Sequence, residues 1–192
     1  MEAEFIVSLV TAILYWGGVV VNATRIKRRT GNSPSLRPRK NADYLLWLCW
    51  ASIIFSWSSP YWLVSENQVW FDSLVADVCG FALIIGGFGG TWWCYAAMGN
   101  AWAISVNERQ TSRLVQSGPY RLVRHPIYAL QWLVIFGNFL ILPCTFLGVA
   151  LAILTVAMQF KASSEEFALV GIFGDEYKEY SKRTTRFLPL NF

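Results

Sequence analysis

Gly118-Pro-Tyr-Arg-Leu-Val-Arg-His-Pro-Ile-Tyr128 compresses two prolines, two tyrosines, two arginines and the chain's single histidine, His125, into eleven residues. A long apolar segment starts immediately after it. Pro126 has no N–H to give and a φ held near about −65°, so it suits the first turn of a helix. The residue before a proline is driven toward extended geometry, which puts His125 at the threshold of that helix. An imidazole, the Tyr120 and Tyr128 hydroxyls and two guanidiniums are thereby collected at one mouth of a hydrophobic helix.

The rest of the chain sets the environment of that mouth. Of 192 residues, 55% are apolar and only 15% charged, and the mean hydropathy is +0.39. Ten tryptophans add a residue that favours the membrane interface. This is the composition of an all-α integral membrane protein, not of a soluble domain. All 16 Lys and Arg residues fall in three segments, Arg25 to Lys40, Arg109 to Arg124 and Lys161 to Arg186. Acids such as Glu2, Glu4, Glu66, Asp72 and Asp77 lie outside them. If the chain crosses the membrane between the basic blocks, all positive charge lies on one side, which is the cytoplasm by the positive-inside rule. The net charge of +4 is therefore a topology signal first and a lipid-phosphate attraction second. It is not read as a nucleic-acid footprint.

Five spans follow, in a single membrane domain. Phe5 to Val21 is the first, with acids before it and Arg25-Ile-Lys-Arg-Arg29 after it, an order unlike a cleaved signal. Gly31-Asn-Ser-Pro34 breaks that helix. Tyr44 to Val64 is the second span, with Pro60 near its outer end, and Leu74 to Ala97 the third. Gly86-Gly-Phe-Gly-Gly90 in the third span marks close approach to a neighbouring helix, since the strand–turn–helix context of a phosphate loop is absent. Asp77 snorkels to the outer interface. Ile127 to Leu142 is the fourth span and Cys144 to Phe160 the fifth, turning at Pro143. At 16 and 17 residues, both are short for a hydrocarbon core of roughly 30 Å. Phe173 to Tyr180 reads as a short amphipathic helix, and Arg186-Phe-Leu-Pro189 as a tail returning to the membrane surface. Residues 1–97 thus carry spans one to three, and 98–192 a cofactor-binding and catalytic half. Cys49, Cys79, Cys94 and Cys144 sit in or beside apolar runs without paired spacing. They are expected to be small buried hydrophobes, with no disulfide and no metal site.

The hairpin of spans four and five has a chemical consequence. It brings its two ends together, so the His125–Tyr128 end should face Lys161, Glu165 and Glu166. Lys161 and Glu165 stand four apart and share a helix face. One cation, two carboxylates, an imidazole and two phenols would then surround a pocket at the cytoplasmic edge of the bilayer. Such a pocket suits a substrate with a greasy tail and a polar head. Two plainer readings stand beside this one: Lys161–Glu165 as a surface ion pair, and His125 as a lone helix-cap residue.

The pattern Gly118, Tyr120, Arg124, His125, Pro126, Tyr128, an apolar hairpin, Glu165-Glu166 and Phe173-Gly-Asp-Glu-Tyr-Lys-Glu-Tyr180 resembles the isoprenylcysteine carboxyl methyltransferase family. The resemblance covers roughly residues 98 to 189, while spans one and two match only in kind. Phospholipid methyltransferases and some membrane reductases share the same C-terminal half, so fold follows more safely than substrate. The resemblance implies S-adenosylmethionine as cofactor, bound in a cytosolic pocket. Leu114, Val115, Tyr120, His125, Pro126 and Tyr128 would line that pocket and Glu165 would contact the cofactor. Ser105, Ser112, Arg113 and Ile127 occupy further cofactor-contacting positions.

Where such enzymes usually carry an arginine that holds the substrate, this chain has Lys161. Lysine keeps the charge and loses the planar two-point grip on a carboxylate. The expected activity is methylation of a lipophilic acceptor, first the carboxylate of a prenylated cysteine, with Lys161, Glu165 and Glu166 as catalytic residues. A phospholipid or other amphiphile amine is the alternative acceptor, whose proton Glu165 or Glu166 could take. A non-catalytic lipid-binding membrane protein is the reading from another class. The N-terminus is expected outside, and the C-terminus and active site in the cytoplasm.

Overall fold

The computed structural model describes residues 2–31, 44, 69–102 and 113–189. Among them are five α-helices: α1 (Glu2–Thr30), α2 (Leu74–Met98), α3 (Pro126–Ile141), α4 (Thr145–Phe173) and α5 (Asp175–Arg183). Two 3-10 turns, Gly99–Ala101 and Gly118–Arg121, complete the regular structure. No strand occurs among the described residues; β-type pairing is limited to two isolated bridges, Val69 with Cys144 and Val123 with Thr185. The expected second span, Tyr44 to Val64, lies outside the described residues except for Tyr44. Three stretches are long and apolar enough to cross a membrane, Leu9–Thr30, Leu74–Ala101 and Thr145–Phe173, and the shorter Pro126–Ile141 is also apolar.

The helix ends follow local chemistry. α1 runs past the expected end at Val21 because Arg25, Lys27, Arg28 and Arg29 favour helix and suit its negative C-terminal pole. It stops at Gly31, which takes a left-handed φ of 72° and donates its N–H to the Lys27 carbonyl at 2.9 Å. α2 agrees with the expected third span to one residue. α4 continues from the expected end at Phe160 to Phe173, since Lys161-Ala-Ser-Ser-Glu-Glu contains good helix formers and no breaker. Gly174, at φ 53°, separates it from α5. That break shifts the amphipathic helix from Phe173–Tyr180 to Asp175–Arg183. Asp175 and Glu176 lie at its positive end and Lys182 and Arg183 at its negative end, as the helix dipole favours.

In a bilayer, apolar burial hardly distinguishes a neighbouring helix from lipid, so association rests on close packing. α2 and α3 achieve it through glycines. A Cβ on Gly80 would lie 2.7 Å from the Gly137 carbonyl oxygen, and one on Gly137 2.6 Å from that of Gly80. Gly87 and Gly90 meet Val134 and Leu130 in the same way, whereas Gly86 and Gly89 face open space. The glycine run therefore marks a helix contact through alternate members only, and Gly80 and Gly137 extend it. α1 packs on this pair and on α4 through a shared core of Tyr15, Val19, Tyr95, Ile135, Leu154 and Met158. The opposite faces carry exposed Leu74, Val75 and Ile85, as lipid-facing surfaces do. Cys94 and Cys144 are buried as expected, but Cys79 is exposed on the outer face of α2; Cys49 lies outside the described residues.

The α3–α4 hairpin turns at Leu142-Pro143-Cys144. The segment before α2 docks on it through Trp70, whose N–H donates to the Pro143 carbonyl at 2.8 Å. Asp77 sits in the first turn of α2, where the helix's positive pole favours an acid.

Candidate active site

The lip before α3 is held by backbone. Gly118 adopts φ 60°, and a Cβ there would lie 3.0 Å from that of Ala97, so glycine is required on both counts. Its 3-10 turn leads to Tyr120, which is buried. The Tyr180 hydroxyl on α5 donates to the Tyr120 carbonyl at 2.7 Å. Burial first, then the neighbouring Cys94 and Glu165, push the Tyr120 phenol well above its ordinary range, so it stays a protonated donor. The next residues pair with the tail. The N–H of Arg124 donates to the Thr185 carbonyl at 2.9 Å, and that of His125 to the Arg186 carbonyl at 3.0 Å. The two donors just ahead of α3 thus have partners before Pro126 begins the helix.

His125, only 6% exposed, caps α3 with φ −125° and ψ 60°. Its φ is extended as the following proline demands. The ring lies parallel to that of Tyr128, centroids 5.5 Å apart. Each ring nitrogen faces a carboxylate: Nδ1 is 3.6 Å from Glu165 Oε2 and Nε2 is 3.2 Å from Glu166 Oε1. The hairpin has therefore brought the imidazole lip against the twin-glutamate lip, as expected from the sequence.

The two glutamates have different surroundings. Glu165 Oε1 accepts from the Tyr128 hydroxyl at 2.9 Å and from Lys161 Nζ at 3.1 Å. Lys161 is 2% exposed, which sets aside the reading of this pair as a surface ion pair. Glu166 is clamped by cations. Its Oε1 accepts from Arg124 Nε at 3.0 Å and Arg186 Nε at 3.2 Å, and its Oε2 from Arg186 Nη2 at 2.6 Å. Arg124 also reaches the carbonyls of Ser181, at 2.9 Å, and Thr184. Glu166 thereby ties together α4, the lip, α5 and the tail.

Of the residues expected in the site, His125, Tyr128, Lys161, Glu165 and Glu166 converge in one hydrogen-bonded group. Tyr120 and Pro126 are buried beside it along the chain, and Ile127, Leu114 and Val115 are half-buried. Arg113 is exposed. Ser105 and Ser112 lie outside the described residues. Arg186 was not among the expected site residues, and Arg124 was seen only as part of the motif. Nothing in the local sequence joins Arg186 to Glu166, because the tail reaches the site only after α5 reverses the chain. The tail, expected to return to the membrane surface, pairs with the lip.

A family model described as phospholipid methyltransferase matches residues 75–176, more than half of the 192-residue chain. The chain is 30% identical over 130 residues to the nickel-cobalt-cadmium resistance protein NccN of Alcaligenes xylosoxydans xylosoxydans, covering 66% of this chain and 57% of that protein. It is 35% identical over 97 residues to the cobalt-zinc-cadmium resistance protein CzcN of Cupriavidus metallidurans, covering 49% and 44%. It is 40% identical over 86 residues to human protein-S-isoprenylcysteine O-methyltransferase, covering 43% of this chain and 30% of that protein. The chain thus matches little more than half the length of these relatives at most. The chain belongs to the phospholipid methyltransferase family.

Proposed function

We propose that this member of the phospholipid methyltransferase family transfers a methyl group from S-adenosylmethionine to a lipophilic acceptor at the cytoplasmic edge of a membrane. The first-choice acceptor is the carboxylate of a prenylated cysteine. The observation that carries the proposal is the meeting of His125 and Tyr128 with Lys161 and Glu165 at one end of an apolar hairpin.

The donor set fits the cofactor. A carboxylate and stacked aromatic faces suit a cationic sulfonium bearing an ammonium group, and Leu114 and Val115 offer apolar side chains for an adenine. When bound, S-adenosylmethionine supplies an electrophilic methyl on sulfur, which departs with its electron pair as S-adenosylhomocysteine. Glu165, oriented by Tyr128 and Lys161, holds the positive end of the cofactor. Tyr120, kept protonated by burial, offers a hydrogen-bond donor. Glu166 already accepts from two guanidiniums, so it positions the lip and does not serve as a base. A carboxylate acceptor is ionised at neutral pH and needs only orientation, which contributes several kcal/mol when reacting atoms are aligned. Lys161 supplies that orienting charge.

A second acceptor class has support in the family description. It is an amphiphile amine, with Glu165 as proton acceptor. Lys161→Met separates the two by ratio, since it should lower transfer to a carboxylate more than transfer to an amine.

Calorimetric titration of the detergent-purified chain with S-adenosylhomocysteine tests the cofactor. Binding heat is expected for wild type and is expected to be lost in Tyr120→Ala and Glu165→Ala. A folded wild type that binds no S-adenosylhomocysteine overturns the proposal.

A further inference from the structure

The cations among the described residues fall into different settings. Arg124, Lys161, Lys178, Lys182 and Arg186 each hold a carboxylate within 3.1 Å. At the end of α1, Arg25, Lys27, Arg28 and Arg29 are exposed and have no carboxylate partner among the described residues. Arg25 has an aromatic face instead: its guanidinium carbon lies 5.5 Å from the ring centroid of Trp92 on α2. The helix dipole and the positive-inside rule both favour positive charge at this end. Neither requires a guanidinium stacked on an indole, because lysine would serve both.

The stacked pair stands on the seam between α1 and α2. Trp92 also covers Gly18, where an added Cβ would lie 3.6 Å from the indole. The ring is 40% exposed, and its N–H has no acceptor among the described residues. Trp92 is six residues from the end of α2, about 9 Å at 1.5 Å per residue, the level at which indoles meet the membrane interface. Arg28 and Arg29 follow Arg25 by three and four residues and share its side of α1, whereas Lys27, two residues on, stands on another side. Toward the membrane interior the seam stays open. Gly89, one turn inward of Trp92, has nothing within 4 Å of an added Cβ, and Val21 on α1 and Ile85 on α2 are exposed.

We propose that Arg25 and Trp92, with Arg28 and Arg29, bind the headgroup of an anionic phospholipid whose acyl chain lies along Val21, Gly89 and Ile85. The chemistry selects this occupant. Guanidinium and indole supply hydrogen-bond donors and no acceptor, so the ligand must offer acceptor oxygens. Three guanidiniums without carboxylates call for net negative charge, which a zwitterionic headgroup lacks because its own cation cancels its phosphate. The apolar strip below calls for a chain, which free phosphate lacks. Arginine suits the position better than lysine, since its planar fork can hold two phosphate oxygens while lying on the indole. The site goes beyond the methyl-transfer reading and does not depend on it.

Native mass spectrometry of the detergent-purified full chain, titrated with dioleoyl phosphatidylglycerol or dioleoyl phosphatidylcholine, reads the affinity for each lipid. Wild type is expected to prefer phosphatidylglycerol by about tenfold or more, at about fivefold per cation near the headgroup. Arg25→Gln should lower the affinity for phosphatidylglycerol about fivefold. Arg25→Lys keeps the charge and Trp92→Leu keeps every cation, yet each should lower it about two- to fivefold by removing the stack. Lys27→Gln removes an equal charge from another side of α1 and should leave the affinity nearly unchanged. Far-ultraviolet circular dichroism confirms that each variant is folded. Equal affinity for the two lipids overturns the site, as do Arg25→Lys and Trp92→Leu both at wild-type affinity. A loss in Lys27→Gln as large as that in Arg25→Gln means diffuse surface attraction and overturns it too. Displacement of the lipid by an equal concentration of inorganic phosphate overturns the lipid as occupant. None of these outcomes bears on S-adenosylhomocysteine binding, which tests the methyl-transfer reading separately.

Discussion

Gly137→Ala tests whether the glycine contact between α2 and α3 sets the position of the site. The added Cβ would lie 2.6 Å from the Gly80 carbonyl oxygen and 2.9 Å from Ile84 Cγ1. The first of these atoms is backbone, so a rotamer change cannot relieve the clash and one helix must move by several tenths of an ångström. Overpacking of this kind costs about 1–3 kcal/mol, here toward the upper end because a main chain opposes it. Helix propensity returns about 1 kcal/mol for replacing glycine by alanine. The net loss is about 1–2 kcal/mol, which for a chain of this size lowers the Tm by roughly 2–8 °C. Gly86→Ala is the matched control, in α2, with nothing within 4 Å of its added Cβ. It should leave the Tm unchanged or raise it slightly. Tryptophan fluorescence during heating in detergent reads both. Because α3 begins at the His125 lip, Gly137→Ala should also weaken S-adenosylhomocysteine binding, measured by calorimetry. Gly137→Ala with wild-type Tm and affinity would refute the reasoning, as would a Gly86→Ala loss of equal size.

Lys161→Met leaves Glu165 half-buried without its cation and should cost about 3–5 kcal/mol of stability in thermal or denaturant unfolding. Lys178→Met, at the exposed pair with Asp175, should not move the Tm measurably. Glu166→Gln removes the charge that Arg124 and Arg186 share, so trypsin should cut at Arg186 and Arg183 several-fold faster than in wild type; unchanged cleavage would mean that the backbone pairing alone holds the tail. Burial raises the Tyr180 phenol to about 12, above the value near 10 of an unfolded tyrosine. Its contribution is therefore fully present below pH of about 10 and declines as pH rises toward 12. Alkaline unfolding followed by fluorescence should be shallower over that window in Tyr180→Phe.

Local chemistry in the chain order was enough for several features. Apolar runs, the glycine at 31 and Pro126 place α1, α2 and the start of α3 because each depends on neighbours within a few residues. The hairpin reading also put His125 opposite Glu165 and Glu166, since a short turn at Pro143 leaves an antiparallel return as the natural path. Boundaries were read less well where a polar segment continues a helix. Lys161 to Glu166 stays in α4 because nothing in it breaks a helix, although its hydropathy changes sharply at Lys161.

Composition, charge placement and the motif around His125 pointed on their own to a helical membrane chain with a candidate site at one end of an apolar hairpin, because those signals are local and additive along the sequence. Only the tertiary structure decided which glutamate is clamped and which is poised. Arg186 comes within 2.6 Å of Glu166 through the reversal at Gly174 and the pairing of the tail with the lip. It likewise showed that Gly80 and Gly137, 57 residues apart by subtraction of their numbers, meet backbone to backbone. Partners this far apart in the chain leave no periodicity to read; they are set by how whole helices pack.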